Sequence, residues 1–125
     1  MRYLLDTHVF LWVVTDDPRL SGQARSRLHE ADALYVSAAS FWEISIKAAL
    51  GKIHADVQEL AKSLSPSGLA ELPITVQHAA RVAGLPPHHA DPFDRLLIAQ
   101  AQSEPLYLLT ADRALAHYGE MIVMV

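Results

Sequence analysis

Arg2-Tyr3-Leu4-Leu5-Asp6-Thr7-His8-Val9-Phe10-Leu11-Trp12-Val13-Val14 opens the chain, and the fold class follows from how this run divides. Taken whole it is too long for one strand. Asp6 splits it: Arg2 to Leu5 is predicted as a buried strand, Asp6-Thr7 as a turn, and Thr7 to Val14 as a helix. The same alternation recurs downstream. A polar helix over Ser21–Glu30 feeds an apolar strand over Ala33–Val36. Ala38–Leu50 has helical length with Gly51 suited to its C-cap, and a helix around Asp56–Leu64 ends at Ser65-Pro66-Ser67-Gly68. A strand around Ala70–Ile74 precedes a helix from Thr75 through Val82, broken by Gly84-Leu85-Pro86-Pro87. Asp91-Pro92 then opens a long helix to about Gln102, stopped by Pro105. Leu106–Leu109 is a strand, Ala111–Ala116 a short helix and Met121–Val125 a last strand. Continuous apolar strands alternating with helices indicate a mainly parallel central sheet flanked by helices on both faces. With no linker, repeat or low-complexity tract, the expectation is one three-layer α/β domain over residues 1–125.

The 125 residues carry 10 Lys+Arg against 14 Asp+Glu, a formal net charge of −4, and no Cys. That balance excludes a nucleic-acid reader built on a broad basic face. The missing thiols exclude disulfides, Cys-ligated zinc, iron–sulfur clusters and thiol nucleophiles. The N-terminus imitates a signal peptide, but Asp6 and His8 interrupt the apolar run and Asp16-Asp17-Pro18 follows at once. No apolar stretch approaches the ~18 residues of a membrane span. A cytoplasmic protein without a membrane partner is expected.

In open α/β sheets, ligands bind beyond the carboxyl ends of the strands. Asp6 ends the first strand, Asp112 follows the strand ending at Leu109, and Ser37 follows the strand ending at Val36. One such acid reads as a turn or cap residue; several together suggest a site. In the helix Ala38–Leu50, Ser40, Glu43 and Lys47 form one polar stripe on an otherwise apolar helix, and such helices are buried. The stripe is either solvated, with Glu43 and Lys47 an ordinary i, i+4 pair, or a carboxylate aimed into a cleft and steadied by a cation. Asp91, Pro92 and Asp94 suit a helix start, with Asp91 as N-cap. Asp94 falls at the edge of the apolar face and is the better cleft candidate.

These residues carry a resemblance. Leu4-Leu5-Asp6-Thr7-His8, Ser40-Phe41-Trp42-Glu43-Ile44, Asp91-Pro92-Phe93-Asp94-Arg95-Leu96-Leu97-Ile98-Ala99 and Leu109-Thr110-Ala111-Asp112 resemble, in order and spacing, a PIN-domain ribonuclease of the VapC-like toxin type. The resemblance covers essentially the whole chain. It implies a PIN-like fold and assigns Asp6, Glu43, Asp94 and Asp112 to an acidic quartet holding divalent metal, with Thr110 a hydroxyl neighbour. It also implies a homodimer and an antitoxin whose C-terminal segment wraps the toxin and blocks its cleft. Asp91 is a fifth acid, and whether Asp91 or Asp94 meets the metal stays open.

Carboxylates converging in one cleft repel unless cations join them. Oxygen ligands without Cys favour Mg²⁺ or Mn²⁺, and the implied reaction is hydrolysis of RNA. Asp6 and Asp94 are assigned to the main ion, Asp112 to the same ion directly or through water, and Glu43 to the attacking water or a second ion. Lys47, Arg95 and Arg113 stand near these acids as phosphate candidates, although surface or ion-pair roles compete. His88 and His89 lie in a Pro-marked loop and are set aside as ligands, since adjacent His side chains rarely converge on one ion; His8 is also left out of the site. A haloacid-dehalogenase phosphatase would commonly need Asp where His8 stands, and a receiver domain would need a Lys after Asp112. A non-catalytic PIN-like binding scaffold remains the alternative. Phe10, Trp12, Phe41 and Trp42 are divided between core and interface. Two bound Mg²⁺ would bring the formal charge to zero, so RNA engagement is expected to depend on metal.

Overall fold

The computed structural model describes residues 1–125 and places five parallel strands in the order β3-β2-β1-β4-β5. The strands are β1 (Arg2–Leu5), β2 (Ala33–Ser37), β3 (Ala70–Leu72), β4 (Tyr107–Thr110) and β5 (Ile122–Met124). Six α-helices connect them: α1 (Thr7–Thr15), α2 (Gly22–His29), α3 (Ala38–Ala49), α4 (Val57–Ser63), α5 (Val76–Arg81) and α6 (Pro92–Ser103). The expected mainly parallel sheet is parallel throughout. Pro73 ends β3 two residues before the expected Ile74, because proline cannot donate to the ladder. The expected helix over Ala111–Ala116 is a 3-10 turn over Arg113–Tyr118, opened by Asp112.

Strand alternation sorts the core into two halves. Leu4 and Leu108 point to one face and pack with Leu97, Ile98 and Ala101 of α6. Tyr3, Leu5 and Leu109 point to the other, with Val9 and Phe10 of α1. Leu4, Leu5, Leu108 and Leu109 are fully buried, and truncating such a residue costs about 2–5 kcal/mol. This density at the centre of the sheet fixes the strand ends. Leu5 is in register with Val36 and Leu109, so Asp6, Ser37 and Thr110 emerge side by side at one edge.

The helix starts are made as the sequence indicates. Asp6 caps α1 through Val9 N–H, Ser21 caps α2, and Asp91 caps α6 through the N–H groups of Phe93 and Asp94. Helix α3 departs from expectation. Its apolar residues do not simply face inward: Trp42, Ile46 and the C-cap Leu50 are 60%, 38% and 64% exposed, whereas Ser40 and Glu43 are buried. The polar stripe is the inner face, because the hydroxyl of Thr7 and the ammonium of Lys47 supply the partners that a buried carboxylate requires. Of the aromatics, Phe10 is core and stacks with half-buried Phe41, and half-buried Trp12 lies under the Arg19 guanidinium. Trp42 stands outside, edge-on to Phe93.

Candidate metal centre

The central acid is Asp6, which is 5% exposed where β1 turns into α1. One carboxylate oxygen accepts from Val9 N–H at 3.0 Å; the other accepts from the Thr110 hydroxyl. Burial raises its pKa despite these donors. Thr110 in turn accepts from Asp112 N–H at 3.0 Å, so one hydroxyl ties the ends of β1 and β4 together. Asp112 turns one oxygen to Ala114 N–H and leaves the other toward the cleft, with its side chain 44% exposed.

Glu43 reaches the same edge from α3 and is 3% exposed. Thr7 Oγ1 donates to Glu43 Oε1 at 2.7 Å, which leaves Ser40, 2.9 Å from Thr7, to donate to Thr7. Lys47 Nζ meets Glu43 Oε2 at 2.5 Å. The Lys47 pKa is raised, first by Glu43 and further by Asp91 and Asp94, which face it. The stripe is therefore the cleft-directed carboxylate of the two readings the sequence left open.

Asp94 projects from the first turn of α6, and its carboxyl is pushed up to about 6. Burial is the main cause; Asp91 and Asp6 add to it and a hydrogen bond from His89 opposes it. Asp91 spends one oxygen on capping α6, while Asp94 turns to His89 Nε2 at 2.8 Å. The same ring nitrogen lies 3.9 Å from Asp112 Oδ2. Ligand atoms of His89, Asp94 and Asp112 all lie within 4.8 Å of one another, a spacing that fits one divalent cation.

The chain matches the PIN domain family over residues 3–121. It belongs to the PIN-domain family. This PIN domain is 34% identical over 119 residues to Ribonuclease VapC22 of Mycobacterium tuberculosis (strain ATCC 25618 / H37Rv), covering 90% of this chain and 88% of that protein. Two solved structures share its fold. VapBC2 from Rickettsia felis, bound to a DNA fragment from its promoter, matches at TM-score 0.70 and 14% identity over 100% of this chain and 98% of that one. A toxin-antitoxin complex from Klebsiella pneumoniae matches at TM-score 0.68 and 20% identity, over 98% and 96%.

The PIN architecture thus gathers Asp6, Glu43, Asp94 and Asp112 at one sheet edge, with Asp91 beside them as a cap. Three participants escaped the sequence reading. Thr7 and Ser40 do so as buttresses of Glu43, and their positions, next to Asp6 and one turn before Glu43, were the available signal. His89 was set aside with His88, yet the two rings part: His88 packs against His117 and Tyr118 while His89 enters the acid cluster. Of the three candidate phosphate contacts, Lys47 is paired with Glu43. Arg95 is spent on the carbonyls of Val82, Leu85, Pro86 and His89, leaving Arg113 exposed beside Asp112.

Proposed function

We propose that this PIN domain, formed by residues 1–125, is a Mg²⁺- or Mn²⁺-dependent endoribonuclease and the toxin of a toxin–antitoxin pair, working in the cytoplasm. The observation that carries the reading is the convergence of Asp6, Glu43, Asp94 and Asp112 at one sheet edge, in a chain 34% identical to a protein named as a ribonuclease. A divalent ion held by these acids would supply Lewis acidity for water activation and for offsetting charge on the phosphodiester and its leaving 3′ oxygen.

Each side chain has a separable task. Asp6 and Asp94 would hold the main ion, with Asp112 as a further ligand. Glu43 orients the attacking water or holds a second ion, and the contacts from Thr7 and Lys47 keep its carboxylate aimed at the cleft. Thr110 positions Asp6 and the Asp112 backbone with one hydroxyl. Hydrolysis leaves a 5′ phosphate and a 3′ hydroxyl.

The partner reading has its own support. The exposed face of Trp42 and Ile46 on α3, with Leu50 at its C-cap, is apolar enough to be covered in an assembly, and the structural neighbours are toxin–antitoxin complexes. A homodimer and an inhibitory antitoxin are the proposed partners.

The test is incubation of total RNA with the purified protein in EDTA, Mg²⁺ or Mn²⁺, followed by mapping of the ends. Cleavage only with metal, and its loss in Asp6→Asn and Asp94→Asn, is expected. Cleavage that persists in EDTA, or in both variants, refutes the mechanism. RNA left intact under every condition favours the non-catalytic scaffold.

A further inference from the structure

His89 stands apart from the acidic quartet in chemistry and in how it is held. Its Nε2 lies 2.8 Å from Asp94 Oδ2 and 3.9 Å from Asp112 Oδ2, so the ring stands between carboxylates delivered by α6 and by the segment after β4. The loop that carries it is anchored. Arg95 Nη1 donates to the carbonyls of Pro86 at 3.0 Å and His89 at 3.3 Å, and Nη2 donates to Val82 at 3.1 Å. Tyr118 Oη adds a donation to Pro86 at 3.1 Å. The residue after Asp94 thus fixes the backbone of His89, and one helix sets both the acid and the position of the imidazole facing it.

We propose that His89 ligates the metal through Nε2 alongside Asp94 and Asp112, biasing the centre toward Mn²⁺ over Mg²⁺. This inference rests on the metal-dependent reading of the site. In the present structure the imidazole and Asp94 share a hydrogen; the same two atoms can share a cation instead. The donor set then decides the ion. Mg²⁺ prefers oxygen ligands and gains little from an imidazole, whereas nitrogen donors suit Mn²⁺ and the later transition ions better. His88 supplies no second nitrogen to the cluster: its ring packs 5.2 Å from that of Tyr118 and 5.8 Å from that of His117.

Pulsed electron paramagnetic resonance of the Mn²⁺-loaded protein reads directly whether nitrogen is bound. The expected result is ¹⁴N modulation in the wild-type protein and in His88→Ala and His8→Ala, and its absence in His89→Ala. Calorimetry should show His89→Ala losing at least about 10-fold in Mn²⁺ affinity with little change for Mg²⁺. Bound Mn²⁺ without ¹⁴N modulation in the wild-type protein overturns the inference and leaves the nuclease reading standing; this measurement needs no variant to fold. Equal weakening of both ions in a folded His89→Ala also overturns it, making His89 a positioning residue. A wild-type protein that binds neither ion overturns the inference and the metal-dependent reading together.

Discussion

Replacing Asp94 with Asn should stabilise the metal-free protein, although Asp94 is a proposed catalytic ligand. Its carboxyl moves from an ordinary 3.8 to about 6 in the folded state, chiefly through burial. That gap corresponds to about 3 kcal/mol at 1.36 kcal/mol per pH unit. Solvent reaches the side chain, which is 19% exposed, and screening cuts the figure to about 2 kcal/mol. Against this, a carboxylate in the first turn of α6 gains about 0.3–1 kcal/mol from the helix dipole, which Asn gives up. Burial wins, leaving about 1 kcal/mol in favour of Asn, or about 4 °C in melting temperature for a chain of this size. The sign follows from the raised folded-state value: stability linked to this group is complete below pH 3.8 and is lost as pH rises through about 6. Parent and Asp94→Asn should therefore melt together in acid and separate at neutral pH. Metal reverses the order, because an ion at 100 times its dissociation constant adds about 2.7 kcal/mol to the parent and little to the variant. Thermal melts across pH, in EDTA and in Mn²⁺, decide the matter. A variant less stable than its parent in EDTA at neutral pH, or a gap independent of pH, refutes the reasoning.

Two further perturbations probe the supports of the site. Lys47→Met leaves Glu43 buried without its cation and should cost about 2 kcal/mol at neutral pH, less than a deeply buried pair because Lys47 is partly exposed. Adding Glu43→Gln should recover most of that loss, and denaturant titration of both variants tests it. Arg95→Met removes the donors that hold four loop carbonyls and should cost about 2 kcal/mol, with faster amide exchange concentrated in residues 82–91. Exchange unchanged in that segment would show that the loop holds itself.

The strands were legible because a parallel sheet covered on both faces demands unbroken apolar runs, and Tyr3-Leu4-Leu5 and Leu106–Leu109 are such runs. The acids at the strand ends were legible for the same reason, since parallel strands bring all their carboxyl ends to one edge. The inward direction of α3 was not. Periodicity places Ser40, Glu43 and Lys47 on one stripe, but with Phe41 and Ile44 on one flank and Trp42 and Ile46 on the other it cannot say which side the core takes. Burial of the stripe follows from Thr7, whose hydroxyl meets Glu43 only once α1 and α3 are packed. His89 was hidden for a related reason: its direction is set by a guanidinium binding backbone carbonyls, an interaction that leaves no pattern in side-chain polarity. Asp91 and Asp94 separated only when hydrogen-bond partners distinguished the cap from the cleft residue.

Asp6 both caps α1 and faces the cleft, and this double duty constrains how such a protein can evolve. A lineage that abandons catalysis still has to satisfy Val9 N–H at the start of its first helix, where a cap lost to Ala costs about 0.5–2 kcal/mol. Asn meets that need without the carboxylate, so drift after loss of activity should be channelled toward Asn, Ser or Thr at position 6. Inactive descendants would then keep a polar residue at the first strand end long after Asp94 and Asp112 had diverged.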